Sequence, residues 1–348
     1  MTLHIPRIPG IDFAAVGKQF GHLEIEHSDN ENDAAVIPSP LAVIGGGDGP
    51  TVLLIAGTHG DEYEGQVLLQ ELIRTVQAED VTGRLIVLPA LNICAVREGR
   101  RVASVDGVNL NRAMPGSAAG GPAQQIASIV AEELIPMADY VMDIHSGGNA
   151  SEYVPSAFVY LGPTPELWAA KVAAVTAFNA PYCVAVKPML KAGSISGAAD
   201  LAGVPMISTE LGGRGTVSVP ILQRAKEGLR SLLGHWGVLK DESKPLASQS
   251  AERPIHWVQL TAEAAVHSTM AGLFEPLVVL GQKVSAGDVV ARVHAVEELD
   301  RPAKEFHSPI DGVVAIVRHP AIVNVGTTLV NIAVDHGTTP PEGNHVPS

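Results

Sequence analysis

The chain has 348 residues, 46% apolar and 17% charged, enough for a large core and a second module. Its net charge of −14 argues against nucleic acid or an anionic membrane surface as a partner. Two cysteines, Cys94 and Cys183, are too few for a disulfide framework and read as small buried hydrophobes. Met1 to Gly10 has no apolar core of signal-peptide length. No apolar run approaches the roughly 18 residues of a membrane helix, so a soluble, cytoplasmic protein is expected.

In chain order, a mixed polar opening with the acidic cluster Glu24 to Asp33 gives way at Leu41 to an alternation of β-branched runs and helical patterns. Strands are expected at Leu41–Ile44, Thr51–Ala56, Arg84–Ala90, Tyr140–Ile144, Tyr182–Val186 and Met206–Thr209. Helices are expected at Gly65–Val76, Gln124–Leu134, Leu167–Phe178, Ser196–Leu201 and Ile221–Leu233. That alternation predicts an α/β fold with a mostly parallel sheet flanked by helices. Gly45-Gly-Gly-Asp-Gly49 lacks the Lys-Ser/Thr of a phosphate loop and reads as a turn between strands.

Residues 1–240 form the expected catalytic domain, N-terminal strands included. Lys, Ser, Glu and Pro then replace the apolar periodicity over 241–253, which reads as a linker. Residues 254–336 are strand-like and turn-rich and hold an internal repeat. Val284-Ser-Ala-Gly287, followed by Val290 and Val293, matches at an offset of 39 Val323-Asn-Val-Gly326, followed by Leu329 and Ile332. Two copies of one hairpin unit predict a small all-β sandwich or barrel. The Thr-, Pro- and Gly-rich stretch 337–348 is expected to be a disordered tail. His256, His267, His294, His307 and His319 lack ligand-like spacing and read as surface or turn residues.

Two histidines and a carboxylate stand where such a sheet collects ligands. His59 and Glu62 lie in Ala56-Gly-Thr-His59-Gly-Asp-Glu62, directly after the apolar run Thr51 to Ile55. His145 lies in Asp143-Ile-His145-Ser-Gly-Gly148, after Tyr140 to Met142. Two ligands on one turn, completed by a distant histidine, commonly make a catalytic zinc site with its fourth position left to water. A lone His-x-x-Glu arises by chance on many loops. Position at the carboxyl ends of strands, flanked by glycines, favours the metal.

Glu210, in Ser208-Thr-Glu210-Leu-Gly-Gly213, closes another apolar strand and is placed to take a proton from zinc-activated water. Taken alone it reads as a solvent-facing strand-end carboxylate. Arg97, Arg100, Arg101 and Arg112 crowd one loop of an acidic protein. Guanidinium groups grip carboxylates through paired hydrogen bonds, so the loop suggests a small anionic substrate. Arginines paired to surface acids are the equal alternative.

The ordered set Gly57-Thr-His59-Gly-Asp-Glu62, Asn109-Leu-Asn111-Arg112, Asp143-Ile-His145-Ser-Gly and Thr209-Glu210-Leu-Gly resembles the succinylglutamate desuccinylase/aspartoacylase family, which belongs with the zinc carboxypeptidase-like hydrolases. The resemblance covers about Leu41 to Leu239. It implies one zinc per subunit on His59, Glu62 and His145, Glu210 as general base, and Arg101 steadying the oxyanion. It also implies Asn111 and Arg112 as the pair that binds the substrate carboxylate. Ile93 stands where the family often has proline, which leaves Arg100 and Arg101 open to confusion. A C-terminal tyrosine assists substrate binding in some relatives, but no tyrosine follows Tyr182 here.

Gly60-Asp-Glu-Tyr-Glu-Gly65, Thr209-Glu-Leu-Gly-Gly213 and Gly272-Leu-Phe-Glu-Pro276 look most like the family's N-acetyl-diaminobutyrate deacetylases of ectoine degradation. Arg214 departs from the glycine that branch tends to have. The implied reaction is removal of an acyl group, acetyl first, from an N-acyl amino acid. A metallocarboxypeptidase acting on peptide C-termini, or a desuccinylase-type activity, is the alternative; a homo-oligomer is allowed. Ser308-Pro-Ile-Asp-Gly312-Val-Val resembles biotinyl/lipoyl-type carrier domains. The hairpin tip Val317-Arg-His-Pro320 lacks the acylated lysine, so a structural or gating module is expected there.

Overall fold

The computed structural model describes residues 3–186, 193–240 and 254–342. The expected linker 241–253 and the end of the expected tail, 343–348, lie outside the described residues. Strands β1 (Gly17–His27) and β2 (Ala35–Gly45) pair antiparallel along their full length. Leu23 and Ile25 point inward from β1, onto Ile8, Ile11 and Phe13 of the N-terminal segment. Leu23 and Ile25, two residues apart, thus give β1 a core-facing side.

Strand β3 (Thr51–Ala56) leads to α1 (Tyr63–Thr75), then β4 (Arg84–Leu88) and α2 (Ile93–Glu98). Helix α3 (Pro122–Ile129) continues as a π turn, Val130–Leu134, before β5 (Tyr140–His145). The short strands β6 (Ser151–Tyr153) and β7 (Ser156–Tyr160) precede α4 (Pro165–Phe178) and β8 (Tyr182–Val186). Helix α5 (Ile195–Leu201), β9 (Met206–Glu210) and α6 (Val219–His235) complete this half. Strand β3 is buried on both faces: Val52 and Leu54 meet the α1, α4 and α6 side, while Leu53 and Ile55 meet the α3 and α5 side. That two-sided burial explains its unbroken apolar run.

The C-terminal strands are β10 (His256–His267), β11 (Gly272–Pro276), β12 (Lys283–Val284), β13 (Val289–His294), β14 (Lys304–His307), β15 (Gly312–Arg318), β16 (Ile322–Val323) and β17 (Thr328–Gly337). A four-stranded antiparallel sheet, β14-β13-β11-β16, packs on the β17-β15-β12 end of the large sheet. The three matched pairs of the internal repeat, Val284 with Val323, Val290 with Leu329 and Val293 with Ile332, sit in the core between them. The repeated unit is strand, turn, strand but not the expected hairpin: β12 and β17 pair within the large sheet and β13 and β16 within the small one, so each copy crosses between the two sheets.

The large sheet has 13 strands in the order β1-β2-β4-β3-β5-β9-β7-β8-β10-β17-β15-β12, with β6 on β15. It is mixed rather than mostly parallel. Pairing is parallel through β4-β3-β5-β9 and again through β7-β8-β10. It is antiparallel elsewhere: β7 runs against β9, the β1–β2 hairpin extends one end, and β17, β15 and β12 add antiparallel strands at the other. Strand β10 pairs parallel to β8, so one sheet runs through both halves of the molecule. Among the described residues no helix is long and apolar enough to cross a membrane.

Candidate active site

Parallel strands deliver the site. Strands β3, β5 and β9 point their carboxyl ends the same way, and the β5–β9 register sets His145 directly opposite Glu210. After β3 the chain turns at Gly57, with φ 69°, where an added Cβ would meet Ala90 Cα at 2.9 Å. That turn carries His59, and Glu62 is the N-cap residue of α1. The partial positive charge of the helix start favours the Glu62 carboxylate there.

His59, Glu62 and His145 are buried, and their ligand atoms lie within 4.8 Å of one another. Nδ1 of His59 is 2.7 Å from Glu62 Oε1, and Nδ1 of His145 is 2.7 Å from Glu62 Oε2. The far nitrogens are also engaged. His145 Nε2 lies 2.6 Å from Asp143 Oδ2, and His59 Nε2 lies 3.2 Å from Asn109 Oδ1. Thr58 Oγ1 donates to the other Asp143 oxygen at 2.9 Å. Each imidazole is thus oriented from behind with its Nδ1 facing the centre, the arrangement that metal-ligating histidines show. Two imidazoles and a carboxylate, converging and shielded from water, fit a zinc-type ion.

Electrostatics bind the cluster together. Burial pushes the Glu62 carboxyl up, but His59 and His145, by charge and hydrogen bond, outweigh it and hold it low. Burial disfavours charge on His145, and Asp143 and Glu62 reverse that and raise it. The Glu210 carboxyl is raised well above the ordinary range by burial and then by the Glu62 charge. Its Oε2 is shielded from solvent and has no hydrogen-bond partner among the described residues.

Arg101 Nη1 donates to Glu62 Oε1 at 3.0 Å from a half-exposed position, whereas Arg100 turns away to Ser104 Oγ. Arg101 is therefore the arginine at the centre. Asn111 spends its Oδ1 on the backbone N–H of Ile195 at the start of α5. Arg112 is exposed and donates to the Asn111 carbonyl, and its charge reaches Tyr160. Asp61 accepts from the Asn149 N–H at 2.9 Å and so pins the loop after His145. Glu64 is fully buried, and burial pushes its carboxyl up to about 7, the Ser146 hydroxyl offsetting part.

Arg214 adopts left-handed backbone, φ 66°, at the rim. Its Nε donates to His319 Nδ1 at 3.4 Å and lies 3.8 Å from Glu152 Oε2. Sequence reasoning passed over Asn109, Asp143 and Tyr153. The first two sat inside the quoted motifs, where only the contacts reveal them. Tyr153 is on β6, opposite Ile316 of β15. Burial first, then the Glu210 and Glu62 charges, raise its phenol, so it stays protonated beside them.

The site is a buried donor set that could hold a metal ion, at the carboxyl ends of parallel strands and beside Glu210. Residues 48–236 match the succinylglutamate desuccinylase/aspartoacylase catalytic domain. The N-alpha-acetyl-L-2,4-diaminobutyric acid deacetylase of Halomonas elongata is 36% identical over 324 residues, 93% of each chain. The product-bound structure of the ectoine utilization protein EutE (DoeB) from Ruegeria pomeroyi is 37% identical, with TM-score 0.89 over 95% of this chain and 100% of that one. A succinylglutamate desuccinylase/aspartoacylase from Rhodobacter sphaeroides is 32% identical, with TM-score 0.88 over 95% of this chain and 99% of that one. The chain belongs to the succinylglutamate desuccinylase/aspartoacylase family.

Proposed function

We propose that the chain is a zinc-dependent amidohydrolase that removes the acetyl group from an N-acyl amino acid, with N-acetyl-diaminobutyrate as the first substrate to try. The carrying observation is the buried His59, Glu62 and His145 set directly beside Glu210. The near-full-length likeness to the Halomonas elongata deacetylase selects the substrate. Zinc on those three ligands would supply a water of lowered pKa and a polarised carbonyl.

Glu210 takes the proton from the attacking water and hands it to the leaving amine. Arg101, on the open side of Glu62, steadies the oxyanion. The protonated Tyr153 phenol is a second donor within the same site. Asn111 and Arg112 receive the substrate carboxylate, with Asn111 held in place by the start of α5. The C-terminal module, of biotinyl/lipoyl-like type by its Ser308–Gly312 stretch, acts as a structural wall through β6 and β15 rather than as a carrier.

The test is amine release by zinc-loaded protein from acetyl and succinyl derivatives of diaminobutyrate, aspartate and glutamate. N-acetyl-diaminobutyrate should be hydrolysed best. EDTA should abolish the activity and zinc restore it. Protein with stoichiometric zinc that releases no amine from any of the six would overturn the reading.

A further inference from the structure

Where the C-terminal module meets the catalytic half, one cavity is used by nothing described above. It measures about 350 Å³ and is lined by Ser151 and Tyr153 of β6, Ile316 and Arg318 of β15, and Thr328 and Asn331 of β17. Strand register explains the grouping. Ser151 pairs opposite Arg318, Tyr153 opposite Ile316, and Asn331 opposite Ile316 on the other side, so these side chains share one face of the sheet.

Arg318 is the unusual member. Its Nε is shielded from solvent and has no hydrogen-bond partner among the described residues. It also forms no ion pair among them, in a chain of net charge −14 where acids outnumber bases. A shielded donor without an acceptor is destabilising, and a guanidinium fork matches a carboxylate. Ser151, Thr328 and Asn331 add short polar groups, while Ile316 and the Tyr153 ring add an apolar wall. The volume is at the small end of the roughly 300–1,000 Å³ of ligand pockets, which suits a small organic acid or an amino-acid derivative. Tyr153 also reaches the catalytic side, its backbone N–H donating at 3.0 Å to the carbonyl of Gly212, two residues after Glu210. It is the wall common to the cavity and the catalytic centre.

We propose that this cavity is a small-carboxylate site anchored by Arg318, separate from the Asn111–Arg112 pair and adjoining the catalytic centre through Tyr153. It takes either the carboxylate of an acyl amino acid on its way in or the free acid on its way out.

Binding is read by ¹⁹F line broadening of trifluoroacetate on zinc-loaded protein, a measurement independent of which reaction the enzyme catalyses. His145→Ala controls for anion held at the metal. Arg318→Met should weaken the His145-independent binding at least about ten-fold, the scale of one lost charge-assisted pair. Arg318→Lys, which keeps the charge but loses the fork, should weaken it less, and it carries the test if Arg318→Met fails to fold by circular dichroism. Unchanged binding in a folded Arg318 variant, or binding wholly lost in His145→Ala, would overturn the site. The source is then read kinetically. A raised KM at constant kcat in Arg318→Lys points to the acyl amino acid. Relieved inhibition by acetate at constant KM points to the released acid.

Discussion

At the scale of single residues, Glu210 concentrates the chemistry. It lies opposite His145 across two parallel strands, half enclosed, with one oxygen that nothing in the described structure satisfies. Glu210→Gln keeps that shape but cannot accept a proton. Zinc content should stay at the wild-type level while kcat falls about 10² to 10⁴-fold, the usual scale of general-base catalysis. Elemental analysis and steady-state rates read both quantities. Near-native turnover would pass the role to another carboxylate. Asp61 is poorly free for it, since it pins the Asn149 N–H. Glu64, buried and raised to about 7, would be the next candidate.

At the scale of elements, packing set features that the sequence pattern could not carry. The cluster of His59, Glu62 and His145 beside Glu210 was legible because its members follow apolar runs beside glycines, a pattern written locally in the chain. The bounds of β1 were not, because only Leu23 and Ile25 of its 11 residues are buried, too short an alternation to set its ends. Strand β6 has only three residues, and the reversal of β7 against β9 depends on partners some fifty residues away. Helix α6 shows the same limit on a smaller scale. Its periodicity predicts a helix, yet its two glycines look alike in sequence and differ in space. A Cβ at Gly228 would meet the Phe178 carbonyl oxygen of α4 at 2.5 Å, whereas one at Gly234 meets nothing within 4 Å. Gly228→Ala should therefore destabilise by about 1–3 kcal/mol through overpacking against α4. Gly234→Ala, exposed and helical, should stabilise by up to about 1 kcal/mol. Thermal melts of the two variants should move in opposite directions, and a shared direction would mean that the α4–α6 contact does not govern the helix.

At the scale of the whole molecule, the two halves are joined by hydrogen bonding as well as by packing, since β10 links β8 to β17 in one sheet. A polar clamp marks that seam. Asp335 of β17 meets His256 Nε2 of β10 at 2.6 Å and Lys283 Nζ of β12 at 2.8 Å, while the His256 ring lies 5.4 Å from Tyr182 of β8. The hydrogen bond from Lys283, opposed by burial and aided by the Gly337 N–H and His256, lowers the Asp335 carboxyl from 3.8 to about 2. A lowered carboxyl contributes stability that is complete above its unfolded value and disappears as pH falls through its folded one. The clamp should thus stabilise the seam fully above about pH 4 and lose its effect between there and about pH 2. Because Lys283 is largely exposed, solvent screening holds the contribution to about 1 kcal/mol. Asp335→Asn should lower stability by that amount at pH 6. The gap from wild type should then close as the pH is taken down towards 2. Urea melts across that range test it. A gap that stays constant with pH would mean that Asp335 acts through shape and hydrogen bonding alone, with its charge contributing nothing to the seam.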